Sequence, residues 1–190
     1  MTIGYQSAPV TQILSVVITL LSLFRTYHDN WAFDLDLVLK GRGLHRVVMS
    51  QMVFTNVSQC MVGLSLLYVC RQFERQLGSR KFGAFAFLSF SLASVLAVAT
   101  AMATKSMNFD YSPSSGPYSF IFSLLVLYYA HVPKLAPSKY VFLGIPLSEK
   151  TWTYVFGAQL LFNDMEKSVG PSIIGILNGM IYLGNFFGMQ

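Results

Sequence analysis

Charged residues are scarce in this sequence. Asp, Glu, Lys and Arg together make up 11% of its 190 residues, whereas about 25% is typical of a soluble domain. A larger core cannot explain the deficit, because a globule of this length still needs a polar surface. The charges are also clustered, and they leave apolar runs at residues 1–24, 47–70, 82–104, 111–130 and 168–190. The scarcity therefore excludes a soluble domain and indicates a membrane protein.

Cysteines and metal-binding motifs are scarce as well. The two cysteines, Cys60 and Cys70, lie ten residues apart, which is about 15 Å along a helix and too far for a disulfide. The sequence has no H-E-x-x-H, no Cys/His metal spacing and no G-x-x-x-x-G-K-[ST] loop. It therefore predicts no metal and no cofactor. No acidic residue lies in the middle of a predicted span, which counts against ion- or proton-coupled transport.

The sequence has only three histidines, His28, His45 and His131. An intramembrane serine hydrolase needs a nucleophile and a base within about 3 Å of each other. His131 directly follows the fourth apolar run, and Ser119 lies twelve residues before it, which is about 18 Å on a helix. Ser123 is still about 12 Å away. The spacing therefore excludes a Ser–His pair within this run.

The length of the apolar runs predicts the fold class. About 20 predominantly apolar residues can cross a membrane, and a shorter sixth segment adds to the five long runs. The first run lacks a basic start and an A-x-A-like cleavage site, so we expect it to be retained. The sequence predicts an all-α polytopic membrane protein with one domain over residues 1–190, no soluble domain, and spans at residues 8–24, 47–70, 82–104, 117–132, 151–164 and 170–188. The formal net charge of +5 is ordinary for loops beside a membrane and predicts no nucleic-acid partner.

Two local patterns single out structural residues. The stretch RQFERQLGSRKF, residues 71–82, is the most charged stretch of the chain and lies between the second and third spans. We expect its Glu74 and neighbouring arginines, Arg71 and Arg75 among them, to hold this turn and its helix ends together. In the sixth span, Gly175 and Gly179 lie four residues apart, a spacing that lets two helices approach closely. They are expected to pack the sixth span on the fourth.

These stretches resemble a known family. LLYVCRQFERQLGSRKFGAF resembles the end of the second helix in rhomboid-superfamily proteins, where Glu-Arg is followed by Gly-Ser, here Gly78 and Ser79. The segment Leu44-His45-Arg46 stands where the family has a Trp-Arg pair, with Arg46 as its arginine. SGPYSFIFSLLVLYY resembles the fourth helix of the family, and PSIIGILNG resembles the sixth. The resemblance covers nearly the whole chain and implies a six-helix rhomboid-like transmembrane bundle.

The resemblance also implies that the catalytic residues are missing. Aligning Gly116 with the first glycine of the fourth-helix motif puts Tyr118 at the position of the nucleophilic serine. Aligning the two glycines of the sixth helix puts Ser172 at the position of the histidine. The His and Asn that polarise the oxyanion in active members fall near Ser58 and Val62. The resemblance therefore implies a pseudoprotease, not an enzyme.

Among pseudoproteases, the sequence is similar to the rhomboid-like proteins that carry a C-terminal ubiquitin-associated domain, with derlins as neighbours. This implies an endoplasmic reticulum membrane protein that acts as a client-binding or adaptor subunit in ubiquitin-linked membrane protein quality control. Its expected partners are membrane lipids and other membrane proteins, namely ubiquitin-ligase or degradation components. The chain ends at Gln190, just after the sixth span, so no ubiquitin-associated domain is expected within it. The alternative hypothesis is a structural accessory subunit of a large respiratory, photosynthetic or similar membrane complex, in a mitochondrial or other organelle membrane.

Overall fold

The computed structural model describes residues 8–25, 44–107, 113–131, 140–142, 145–147 and 149–184. Over these ranges the chain forms seven helices and one antiparallel hairpin, in which Tyr140 pairs with Leu147. The helices are α1 (Pro9–Arg25), α2 (Leu44–Ser50), α3 (Val57–Leu77), α4 (Ser79–Ser106), α5 (Tyr118–His131), α6 (Glu149–Phe162) and α7 (Met165–Leu183). The strands are β1 (Tyr140–Phe142) and β2 (Ile145–Leu147), between α5 and α6. The described part of the chain is thus helical, with a two-stranded hairpin that the sequence did not predict.

Within the described residues, one helix is long and apolar enough on its own to cross a membrane. This is α4, with 28 residues and a mean hydropathy of 2.1 over its most apolar window. The helices α1 and α5 are apolar but shorter, and α5 and α6 have 14 residues each. The structure therefore supports a helical membrane protein, while the number of crossings stays a prediction.

The second predicted span, residues 47–70, is wrong as a single helix. In the structure α2 ends at Ser50 and α3 begins at Val57. The break has a packing reason, because Val53 and Phe54 between the two helices are fully buried. The Phe54 ring lies edge-on to Tyr118, with 6.0 Å between the ring centroids. The apolar residues that suggested one long helix instead insert into the core.

The sixth predicted span also begins earlier than expected, because α7 starts at Met165 and continues through Pro171. A proline inside a helix has no N–H for the carbonyl of the residue four positions before it, which here is Lys167. The Lys167 carbonyl accepts the backbone N–H of Ser114 instead, at 2.9 Å. The helix can therefore contain its proline because a residue from another segment replaces the missing donor.

The helix α5 lies at the centre of the fold. Buried residues surround its axis on every side, as expected for a helix that is apolar all round. Phe82 and Phe85 of α4 pack against its Phe120, with ring centroids 6.3 and 6.1 Å away. By contrast, α1 buries only Thr11, Ser15 and Ile18, which lie on one stripe, so α1 is peripheral.

Candidate functional site

The candidate site is the contact between α5 and α7, the two helices that carry the predicted positions of the missing nucleophile and histidine. Gly175 and Gly179 of α7 face α5 with no side chain between the two backbones. A Cβ atom added to Gly175 would collide with the Ser119 carbonyl and come within 2.8 Å of Phe122. A Cβ atom added to Gly179 would lie 2.7 Å from Val126 and 3.0 Å from the carbonyl oxygen of Ser123. The two glycines therefore set the distance between the helices.

Tyr118, at the position that the family resemblance assigns to the nucleophile, is a core residue. It is the first residue of α5, is fully buried, and packs against Phe54. Gly116, two residues before it, has φ +145°, and a Cβ atom there would lie 2.8 Å from the Tyr118 ring and 2.9 Å from Phe54. Tyr118 thus fills the space beside this glycine, and its ring leaves no room for a second side chain.

The serine hydroxyls at the contact donate to backbone carbonyls. Ser172, at the position that the family resemblance assigns to the histidine, donates to the Ser168 carbonyl at 2.7 Å. Ser119 donates to the Pro171 carbonyl at 2.8 Å, so it joins α5 to α7. The described histidines, His45 and His131, are exposed on α2 and at the end of α5; His28 lies outside the described residues. Within the described ranges this arrangement connects helices and contains no nucleophile–base pair.

The segment before α5 is fixed by hydrogen bonds to two other parts of the chain. The N–H of Gly116 donates to the Ser50 carbonyl at 2.7 Å. The hydroxyl of Ser114 donates to Asp164 Oδ2 at 3.0 Å, beside its backbone bond to Lys167. The sequence analysis did not single out Asp164 and missed this role. Asp164 precedes α7 and Ser114 precedes α5. Nothing in the sequence around either residue indicates that the two form a hydrogen bond.

The positions expected for the oxyanion residues lie on α3. Ser58 is exposed, and its Oγ accepts from Asn163 Nδ2 at 3.0 Å. Val62 is half-buried. Among the described residues, no hydrogen bond joins Ser58 or Val62 to Tyr118 or Ser172. The structure therefore does not bring the four inferred catalytic positions into one polar site.

A buried polar cluster links α4, α5 and α7, and the sequence analysis missed it. Asn178 donates through Nδ2 to the Ser89 carbonyl at 3.3 Å, and the hydroxyls of Ser89 and Ser123 are 3.5 Å apart. Asn178 is 3% exposed and its Oδ1 is without a hydrogen-bond partner among the described residues. An asparagine beside Gly179 in an apolar helix is the available signal, because polar side chains join helices in membranes.

Glu74 has a role that differs from the expected one. Its Oε1 accepts the backbone N–H of Val10 at 2.8 Å, and its Oε2 accepts both the N–H and the hydroxyl of Thr11, at 2.7 and 2.8 Å. The carboxylate is 1% exposed. Its side chain therefore holds the start of α1, 64 residues away, and only its backbone carbonyl closes the α3–α4 turn, by accepting the N–H of Gly78 at 2.9 Å.

The Glu74 carboxylate completes the first turn of α1. Helix starts leave N–H groups without intrahelical partners, and Ala8 before α1 has no side chain that can cap them. Pro9 has no N–H, and Gln12 donates to the Ala8 carbonyl at 3.2 Å. The Glu74 carboxylate accepts the other two, and a negative charge at a helix start is favourable.

The remaining residues of the motif lie around the α3–α4 turn. Gly78 joins the two helices with φ +84°, and Ser79 begins α4. The Arg71 guanidinium lies 3.6 Å above the Tyr68 ring, a cation–π geometry. Arg75 is half-buried in the last turn of α3. Arg46 is half-buried on α2, and no described contact brings it to this turn.

Comparison with known proteins identifies relatives along nearly the whole chain. The family described as "Eukaryotic integral membrane protein (DUF1751)" matches residues 10–187. Rhomboid-like protein 18 of Arabidopsis thaliana is 29% identical over 190 residues, which cover 98% of this chain and 65% of that protein. The human Ubiquitin-associated domain-containing protein 2 is 25% identical over 193 residues, covering 97% of this chain and 55% of the relative.

One fungal relative is named as a subunit of a protein complex. The DSC E3 ubiquitin ligase complex subunit 2 of Schizosaccharomyces pombe is 25% identical over 170 residues, covering 88% of this chain and 44% of that protein. The chain thus spans two thirds or less of the length of these curated relatives. No solved structure matches the sequence.

Proposed function

Because this chain belongs to the DUF1751 family of eukaryotic integral membrane proteins, in the pseudoprotease branch of the rhomboid superfamily, we propose that it acts without catalysis. Its role is that of a client-binding or adaptor subunit in ubiquitin-linked quality control of membrane proteins. The observation that carries the proposal is the match over residues 10–187, with relatives named for a ubiquitin-associated domain and for a ubiquitin ligase complex. Its site of action is the endoplasmic reticulum membrane.

The contact between α5 and α7 supports a non-enzymatic role. A fully buried Tyr118 occupies the nucleophile position inferred from the family resemblance. The hydroxyls of Ser119 and Ser172 donate to carbonyls at 2.8 and 2.7 Å, whereas an activated serine needs a general base at that distance. The contact therefore acts as a scaffold that fixes α7 on the central helix.

The length of α6 supports client binding by local thinning of the bilayer. Its 14 residues make about 21 Å of helix, roughly 9 Å less than the 30 Å hydrocarbon core. The helix is also on the outside of the bundle, where Trp152, Val155 and Phe162 are exposed. A short helix that faces lipid is accommodated by a thinner bilayer, and a client segment with poor hydrophobicity inserts there at lower cost.

Purification tests the partner class. The full chain, tagged and solubilised in a mild detergent, should recover a ubiquitin ligase and ubiquitylated membrane proteins, and its loss should lengthen the half-life of an unstable transmembrane client. Recovery of a respiratory, photosynthetic or other stable assembly without ubiquitin components would instead favour the structural-subunit hypothesis. Cleavage of a reporter transmembrane substrate that is lost on Ser119→Ala would overturn the non-enzymatic role.

An insertion tests the thinning mechanism. Four leucines inserted after Val155 lengthen α6 by about 6 Å and turn the following residues by about 400°, which nearly preserves its faces. We expect client crosslinking to fall while ligase recovery is unchanged. The matched control is the same insertion after Met102, near the end of the long helix α4, which should leave client crosslinking unaltered. Equal client crosslinking in the parent and the α6 variant would refute the mechanism.

A further inference from the structure

An open groove runs along the outer side of the fold between α1 and α3, and we call it the α1–α3 groove. It consists of two cavities of about 270 Å³ each, which share Thr19 and Leu64 as lining residues. One cavity reaches Ser15 in the middle of α1. The other reaches Thr55 and Asn56, just before the start of α3. The shared residues make the two cavities one continuous groove.

The groove has the depth of one membrane leaflet. From Ser15 to Arg25 there are ten residues of α1, which is about 15 Å and half of the 30 Å hydrocarbon core. The groove runs from the C-terminal end of α1, where Arg25 is the last residue, to Ser15 in the middle of that helix. The groove therefore suits a ligand whose apolar part has about the length of one leaflet.

The wall of the groove is compatible with hydrocarbon although α1 contributes hydroxyl residues to it. The hydroxyl of Ser15 donates to the Gln12 carbonyl at 2.8 Å, and that of Thr19 donates to the Ser15 carbonyl at 2.7 Å. Ser22 Oγ accepts the backbone N–H of Phe54 at 3.1 Å. Because these polar atoms have partners within the fold, their small side chains widen the groove without requiring hydrogen bonds from an occupant. Leu64 completes the apolar wall.

A cation stands at the mouth of the groove. Arg25 ends α1, and its Nη1 donates to Thr55 Oγ1 at 3.3 Å. Among the described residues, no carboxylate pairs with Arg25. A guanidinium has five N–H donors in a geometry that matches phosphate oxygens, and Thr55 Oγ1, as an acceptor in that bond, keeps its own hydrogen for a second ligand. The mouth thus complements an anionic phosphate, and the groove behind it complements an apolar chain.

We propose that the α1–α3 groove binds one glycerophospholipid of the adjacent leaflet, with an acyl chain between α1 and α3 and its phosphate on Arg25 and Thr55. A transmembrane helix of a partner could also meet the apolar wall, but it would offer no phosphate to Arg25 and Thr55 at the mouth. A flexible hydrocarbon chain fits, and the charge at the mouth selects a phosphate beside it.

Photocrosslinking in lipid nanodiscs tests the proposal. The full chain is reconstituted with a trace of glycerophospholipid that carries a photoreactive group on one acyl chain, or with a diacylglycerol of the same chains. We expect the phospholipid adduct to map to α1 and α3 around Thr19 and Leu64, and the diacylglycerol adduct to be about tenfold weaker there. Added inorganic phosphate should not compete, because the acyl chain supplies part of the affinity.

Variants separate the contributions of the two ends. Arg25→Gln should lower the phospholipid adduct to the diacylglycerol level, while Lys105→Gln, at the end of α4, should leave it unchanged. Leu64→Trp fills the groove and should remove both adducts; Val16→Trp, on the exposed rim, serves the same purpose if the first variant does not fold. Adducts spread evenly over the exposed faces of α4 and α7, or a phospholipid adduct that Arg25→Gln leaves at the level of the parent protein, would overturn the proposal. Loss of a co-purifying protein in Leu64→Trp with lipid labelling intact would also overturn it.

Discussion

Replacing Glu74 with alanine removes the contact that fixes α1 to the rest of the fold. The carboxylate accepts three hydrogen bonds, from the N–H groups of Val10 and Thr11 and from the Thr11 hydroxyl. Its own burial is nearly complete, at 1% exposure, so water does not replace it without a rearrangement. Glu74→Ala therefore leaves the first turn of α1 without acceptors for two of its backbone N–H groups.

The expected loss can be worked from these contacts. Removing a helix cap costs about 0.5–2 kcal/mol, and each buried donor left without a partner costs about 1–3 kcal/mol. Val10 is half-buried and Thr11 is buried, so we take the lower part of the second range and expect a decrease of about 3 kcal/mol in the free energy of unfolding. For a chain of this size that corresponds to a Tm roughly 6–12 °C lower. Glu74→Gln keeps one acceptor oxygen and loses the charge at the helix start, and should cost about 1–2 kcal/mol.

Unfolding in detergent micelles, followed by circular dichroism against temperature and against added denaturing detergent, measures both variants. Gln76→Ala is the matched control, because Gln76 is exposed on the same helix and should change stability by less than about 0.5 kcal/mol. Thr11→Val removes only the hydroxyl donor and should cost about 1 kcal/mol. In a double-mutant cycle Thr11→Val should add nothing to Glu74→Ala. A Glu74→Ala protein as stable as the parent would refute the reasoning.

Three further substitutions probe other contacts, each read as the free energy of unfolding in the same micelles. Gly175→Leu forces α7 away from α5 and should cost at least about 1–3 kcal/mol. The control is Gly83→Ala, which should be neutral or up to about 1 kcal/mol stabilising, because an added Cβ there meets nothing within 4 Å. A Gly175→Leu protein as stable as the parent would contradict the close approach of the two helices. Gly78→Ala puts a Cβ at φ +84° and should cost about 1–2 kcal/mol, so a cost no larger than for Gly83→Ala would contradict it. Asn178→Ala removes the donor to the Ser89 carbonyl and should cost about 0.5–2 kcal/mol; stability equal to the parent would show that this bond contributes nothing.

Much of the helical layout was predictable, because apolar length is a local property of the sequence. The bounds of α1, α4 and α5 lie within three residues of the predicted spans. The resemblance to rhomboid-like proteins is confirmed by the match to Rhomboid-like protein 18 over nearly the whole chain. The errors are at Phe54 and Pro171. An apolar residue such as Phe54 in a long run predicts helix whether its side chain faces lipid or packs in the core. Pro171 predicts a helix break, because the sequence does not show that Ser114 supplies the missing donor.

The candidate site was predictable in its glycines and unpredictable in its hydrogen bonds. Gly175 and Gly179 lie four residues apart on one helical face, and that spacing alone indicates close packing. The bonds from Ser114 to Asp164 and from Ser119 to the Pro171 carbonyl join residues about 50 positions apart. No periodicity or motif in the sequence relates such pairs, since each partner is satisfied only after the helices have packed.

The class of this protein follows from composition alone: a chain with few charges and long apolar runs must pair its backbone polar groups within helices, because a bilayer offers no water to pair with them. The family follows from the ordered stretches around Glu74, Gly116 and Gly175. What those residues do depends on how the helices pack. The side chain of Glu74 caps α1 instead of holding its own turn together, because a buried carboxylate binds the unpaired donors that the packing brings to it. Here those donors are the first N–H groups of α1, a helix that begins without a capping side chain of its own.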